Sequence, residues 1–152
     1  MKIIAKVLLL VTILSLALSV CSCGAIKAVT RDLPRVISLT EDISDIVKNT
    51  HSKDEAIEKI SALVHPKSTL TKDSILDQLK ANEKLAKLNV TSMNDVSLGN
   101  FSTPNFKFND ETLGGNIYEV TVSVTISGVA FDLTIKLLSD DTDLGIYSFD
   151  IK

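Results

Sequence analysis

The sequence predicts an α+β domain, with N-terminal helices packed on one face of a curved antiparallel sheet. Three observations carry this. Residues 34–88 hold three apolar stripes at helical spacing. Residues 118–137 alternate apolar and polar side chains in two arms around Ser127-Gly128. A third alternating segment, Leu144 to Ile151, closes the chain.

The first helix is expected from Pro34 to Lys48, on the stripe Val36, Ile37, Leu39, Ile43, Ile46 and Val47. Proline suits a helical start, where its missing N–H costs nothing. Residues 23–33 are then a tether to a single domain over 34–152. Ser52-Lys53-Asp54-Glu55 has the form of a capping box and opens a second helix on Ile57, Ile60, Leu63 and Val64. Pro66 ends it by disfavouring helical geometry at His65. Thr71 is the expected N-cap of a third helix bearing Ile75, Leu76, Leu79, Ala86 and Leu88. Short strands follow near 94–101 and 105–109, broken by Pro104.

The hairpin carries its own check. A two-residue turn at Ser127-Gly128 fixes the register. It sets Ile126 opposite Val129, Val124 opposite Phe131, Val122 opposite Leu133, Val120 opposite Ile135 and Tyr118 opposite Leu137. Every pair is apolar. On the other face Ser123 meets Asp132, Thr121 meets Thr134, and Glu119 meets Lys136, opposite charges across the ladder. A slip by one residue would invert a whole strand. In the closing strand Tyr147, Phe149 and Ile151 form the expected inner face.

Ahead of the domain, residues 1–22 read as a secretory signal. Lys2 and Lys6 form a positive n-region, and Val7 to Val20 is apolar but for Thr12, Ser15 and Ser19. That stretch is shorter than the roughly 20 apolar residues a membrane span needs. The chain has 16 basic and 19 acidic residues, and removing the two signal lysines makes the rest more acidic still. No basic stripe offers itself to a nucleic acid.

Both cysteines, Cys21 and Cys23, sit at the end of the signal. The body of the domain therefore has neither disulfide nor thiolate chemistry and depends on packing. Val20-Cys21-Ser22-Cys23 resembles a bacterial lipobox, with cleavage after Ser22 and lipidation of Cys23, though Cys21 departs from the usual pattern. Buried acyl chains, at about 0.8 kcal/mol per CH₂, would hold such a protein on a membrane. The alternative is a secreted extracellular glycoprotein, for which Asn89-Val90-Thr91 and Asn100-Phe101-Ser102 supply the glycosylation triplets at Asn89 and Asn100.

The order of elements resembles the NTF2-like superfamily, with cystatin-like proteins as the nearest architectural relative. Three stretches carry the resemblance: Leu63-Val64-His65-Pro66 at a helix end, the third helix, and Gly145-Ile146-Tyr147-Ser148-Phe149-Asp150-Ile151. It implies a cone of helices and sheet that often holds a small apolar ligand. The implied lining is Tyr118, Val120, Val122, Phe131, Leu133, Ile135, Tyr147 and Phe149. Enzymes of that family place an Asp or His in the cone, whereas the strand positions facing inward here are apolar or tyrosine. Cystatin-type inhibitors use a Gln-x-Val-x-Gly hairpin and a Pro-Trp hairpin. This chain has Ile126-Ser127-Gly128-Val129 and no tryptophan.

The remaining chemistry is sparse. His51 and His65 are the only imidazoles, both beside helix ends. Asp140, Asp141 and Asp143 lack the glycine and glutamate spacing of a calcium loop. The expectation is a non-catalytic exported domain without cofactor or metal, anchored through Cys23 and binding a small apolar ligand or an envelope protein. An enzyme using His65 or a helix-borne acid is the competing expectation.

Overall fold

The computed structural model describes residues 23–88, 90 and 92–152. Residues 1–22, where the sequence places a signal and cleavage after Ser22, lie outside the described residues, as does Asn89. Among the described residues the architecture is α+β, four helices against one curved, unclosed antiparallel sheet of five strands. The helices are α1 (Cys23–Asn49), α2 (Lys53–Ser61), α3 (Lys72–Ala81) and α4 (Glu83–Ala86). After a 3₁₀ turn at Met93–Asp95 come β1 (Val96–Phe101), β2 (Asn105–Asp110), β3 (Gly115–Ile126), β4 (Val129–Ser139) and β5 (Leu144–Ile151).

The sheet runs β1-β3-β4-β5, with β2 also on β3. β1 and β2 share one edge, β1 against the second half of β3 and β2 against the first. The buried Pro104 lies between them, where a missing N–H cannot interrupt a ladder. The β3–β4 hairpin has the expected register along its whole length, from Ile126–Val129 to Asn116–Ser139. Its turn takes the left-handed region at both residues, Ser127 at φ 49° and Gly128 at φ 81°, as a tight turn between twisted strands requires. On the outer face Ser123 donates to Asp132 at 3.3 Å, and Lys136 stands 3.9 Å from Glu119.

The helix expected to carry Ile75 to Leu88 is interrupted at Asn82, which ends α3 and caps α4, and α2 ends at Ser61, short of Leu63 and Val64. Three further local expectations give way. The segment 23–33 is not a tether: it is helical, and Pro34 lies inside α1. Pro34 is exposed, as is Thr30, so water can take the carbonyl that loses its helical donor. The stripe that holds the longer helix is Val29, Leu33, Val36, Leu39 and Ile43, all buried. Ser52 makes no capping bond to α2; it is drawn into an isolated bridge with Ser92 instead. The capping box that does form belongs to α3, where Thr71 and Ser74 bond reciprocally.

The third concerns β5. Its pairing slips between Lys136–Ser148 and Leu137–Ile146, leaving Tyr147 as the extra residue of a bulge. Ile146, Phe149 and Ile151 take the inner positions, and Tyr147 is displaced from the inner row it was expected to join. Its carbonyl accepts from Ser68 Oγ at 2.6 Å. The outer edge of β5 is covered by the chain after α2: Ile146 N–H donates to Leu63 O at 2.8 Å and His65 N–H to Ile146 O at 2.9 Å. Gly145 permits that approach, since a Cβ there would lie 2.6 Å from the His65 nitrogen.

Candidate ligand cavity

The layer between helices and sheet has two unlike ends. At one, Asp32 of α1 is fully buried. It accepts hydrogen bonds from Arg31 Nε at 2.6 Å, Asn116 Nδ2 at 3.1 Å and the Tyr118 hydroxyl at 2.9 Å, with Ser139 buried alongside. Arg35 adds its charge from 3.9 Å. Burial alone would raise the Asp32 pKa; the bonds from Arg31, Asn116 and Tyr118, helped by Ser139, outweigh it and hold the carboxyl below its usual range. Burial and the neighbouring carboxylate together push the Tyr118 hydroxyl far up, so it remains a donor. The Asp32 carboxylate is satisfied by these donors, while the buried Ser139 Oγ beside it has no hydrogen-bond partner among the described residues. Tyr118 is committed to Asp32 and is not available to orient a ligand.

At the other end lies a cavity of about 370 Å³, within the range of small-molecule sites. Its walls come from all the layers. Ile43 of α1, Ile57 and Ile60 of α2, and Ile75 and Leu79 of α3 face Val124, Leu133 and Ile135 of the sheet. Leu85 and Leu88 close one side. Among the described residues the lining is aliphatic except for Met93, Phe149 and two lysines, Lys53 and Lys80.

Of the eight side chains expected to line a pocket, Leu133, Ile135 and Phe149 do so. Tyr118, Val120, Val122 and Phe131 are buried in the packed core and do not border the cavity. Tyr147 is half-buried on the bulge and touches neither core cluster. The helical walls were missed because a stripe such as Ile57-Ile60 reads the same whether it abuts side chains or a void. Asp32 escapes a sequence reading in which 23–33 is a tether. Its place one turn before Val36, between Val29 and Leu33, was the available signal.

His65 is buried, not a solvent-facing helix end. Its Nδ1 accepts from the Lys67 N–H at 3.1 Å, and its Nε2 lies 3.6 Å from Asp140 Oδ2, too far for a hydrogen bond. His65 does not border the cavity. His51 is exposed, 3.4 Å from Asn94 Oδ1.

The Asp140–Asp143 loop is closed on itself. Asp140 accepts from the backbone of Asp143 and Thr142 and pairs with Lys67 at 2.9 Å. The Asp143 N–H, then Lys67 and the Thr142 N–H, hold its carboxyl far below the usual range. No group of three or more metal-ligating side chains occurs among the described residues. None of their helices is long and apolar enough to cross a membrane. Asn100 is exposed on edge strand β1. Cys23 is the first residue of α1.

Compared with known protein families, characterised proteins and solved structures, the chain matches none. The reading of its function therefore rests on this geometry.

Proposed function

We propose that this protein is an exported, lipid-anchored, non-catalytic domain that holds a small apolar ligand between its helices and its sheet. The observation that carries the reading is the cavity of about 370 Å³ with aliphatic walls, in an interior whose buried carboxylate is fully engaged elsewhere. Walls that are aliphatic apart from Met93, Phe149 and the two lysines favour a largely apolar guest, because a polar one would lose its water with little compensation. The resemblance of the element order to the NTF2-like cone supports the same reading. A pocket enzyme built on His65 is disfavoured, since that ring sits behind the β5 edge and away from the cavity.

In the anchored form Cys23 would carry the acyl chains, and α1 would leave the membrane directly. Its 27 residues span about 40 Å at 1.5 Å each. The mass of the intact protein from its native host tests the anchor: residues 23–152 plus a diacylglyceryl group are expected, and an unlipidated or glycosylated mass contradicts it.

Titration with a neutral apolar fluorophore tests the cavity. Saturable binding is expected, and it should be lost in Ala56→Phe, which fills the void from α2. Absence of saturable binding to the folded protein, or full binding to Ala56→Phe, removes the cavity reading.

A further inference from the structure

We infer that the cavity takes a free fatty acid, its acyl chain inside and its carboxylate at Lys53 and Lys80. The inference rests on the cavity reading above and adds the class of ligand. Apart from the two lysines, the walls among the described residues are Ile, Leu, Val, Ala and Met93 with a single aromatic ring, Phe149. Branched aliphatic walls suit a flexible methylene chain, whereas a flat aromatic guest gains most from ring-on-ring contact.

The polar part of the guest is specified by the exceptions. Lys53 and Lys80 are the only charged residues that border the cavity among the described residues, and both are cationic. Lys53 is half-exposed and Lys80 exposed, so their ammonium groups can stand at the rim while their stems complete the apolar wall. Lys80 has only a long contact with Asp77, at 3.9 Å between largely exposed side chains. Lys53 makes no ion pair among the described residues. It is also the first residue of α2, where the helix dipole disfavours a positive charge. The charge is poorly placed for the helix and well placed for an anion held at the mouth. An amphiphile with one apolar chain and one negative head satisfies both parts of the site.

The experiment compares three ligands of equal chain length, below their micelle-forming concentrations and at low salt: dodecanoate, dodecanol and dodecyltrimethylammonium. Dodecanoate is expected to bind roughly fivefold to tenfold more tightly than dodecanol, as partly exposed charge pairs allow, with the cation weakest. In Lys53→Gln/Lys80→Gln the ratio of acid to alcohol affinity should fall to near one. Thermal unfolding of the variant confirms that it is folded. Equal binding of acid and alcohol by the native protein, or a preference that survives in the double variant, overturns the fatty-acid assignment and leaves the cavity reading intact. Failure of all three ligands to bind overturns both.

Discussion

The two ends of the interlayer space share α1, β3 and β4, yet they solve opposite problems. Around Asp32 the space is filled and every hydrogen bond of the carboxylate is made by protein: Arg31, Asn116 and Tyr118 converge on one side chain. Around Leu133 and Ile135 it is left open, and among the described residues the only charged side chains at its border are Lys53 and Lys80. A filled end with a satisfied charge fixes how α1 sits on β3 and β4. A hollow end sacrifices contacts that packing would have supplied. On the proposed reading the contrast teaches that anchoring contacts and capacity are separated along one core, so that a ligand would enter the cavity without disturbing the Asp32 contacts.

Substitutions at the two ends should therefore differ in size. The largest effect is expected from Asp32→Ala, at about 3–5 kcal/mol of stability by chemical denaturation, because the buried Tyr118 hydroxyl would be left without its acceptor and Asn116 and Arg31 would lose their bonds to the carboxylate. Next comes a matched pair on β4. Leu137, fully buried beside Tyr118, should cost about 3 kcal/mol as Leu137→Ala. Leu133, half-buried on the cavity wall, should cost about half that as Leu133→Ala, since it already borders a void. Equal costs would mean that the wall is as tightly packed as the core.

Tyr118→Phe should cost about 1 kcal/mol, the net worth of one hydrogen bond to Asp32. Acid should reproduce part of the Asp32 effect. The folded carboxyl titrates below its ordinary value, so its contribution is complete above an unfolded pKa of about 3.9 and is lost as pH falls through the lower folded value. The stability gap between the native protein and Asp32→Asn should thus narrow below about pH 4. A gap that is constant through that range would remove the ionised carboxylate from the account. The smallest effect runs the other way. Ala56→Leu adds volume to the hollow end and should stabilise the ligand-free protein by about 0.5–1 kcal/mol while weakening apolar-probe binding.

The sequence disclosed these regions unequally. The β3–β4 register was legible to the residue because alternation on both arms and a two-residue turn allow one pairing. The N-terminal half of α1 was hidden by Pro34, which looks like a start when the stripe upstream contains an aspartate. Its partners, Asn116 and Tyr118, lie more than eighty residues away. The bulge at Tyr147 is marked by a change of phase, apolar at the even positions Leu144 and Ile146 and then at the odd positions Phe149 and Ile151, which a single inner row of Tyr147, Phe149 and Ile151 passes over. The cavity was legible only as an implied cone. Five of its eight expected lining residues proved to be elsewhere, because inward direction on a strand says nothing about what stands opposite.

The most direct test of the contrast is methyl-resolved NMR of the native protein titrated with a neutral apolar probe. The account expects shifts concentrated at Ile57, Ile75, Leu79, Leu133 and Ile135, with Val29, Leu33 and Leu137 at the filled end unmoved. Shifts that fall on the Asp32 end or spread along the outer surface would contradict it, as would a titration that moves nothing.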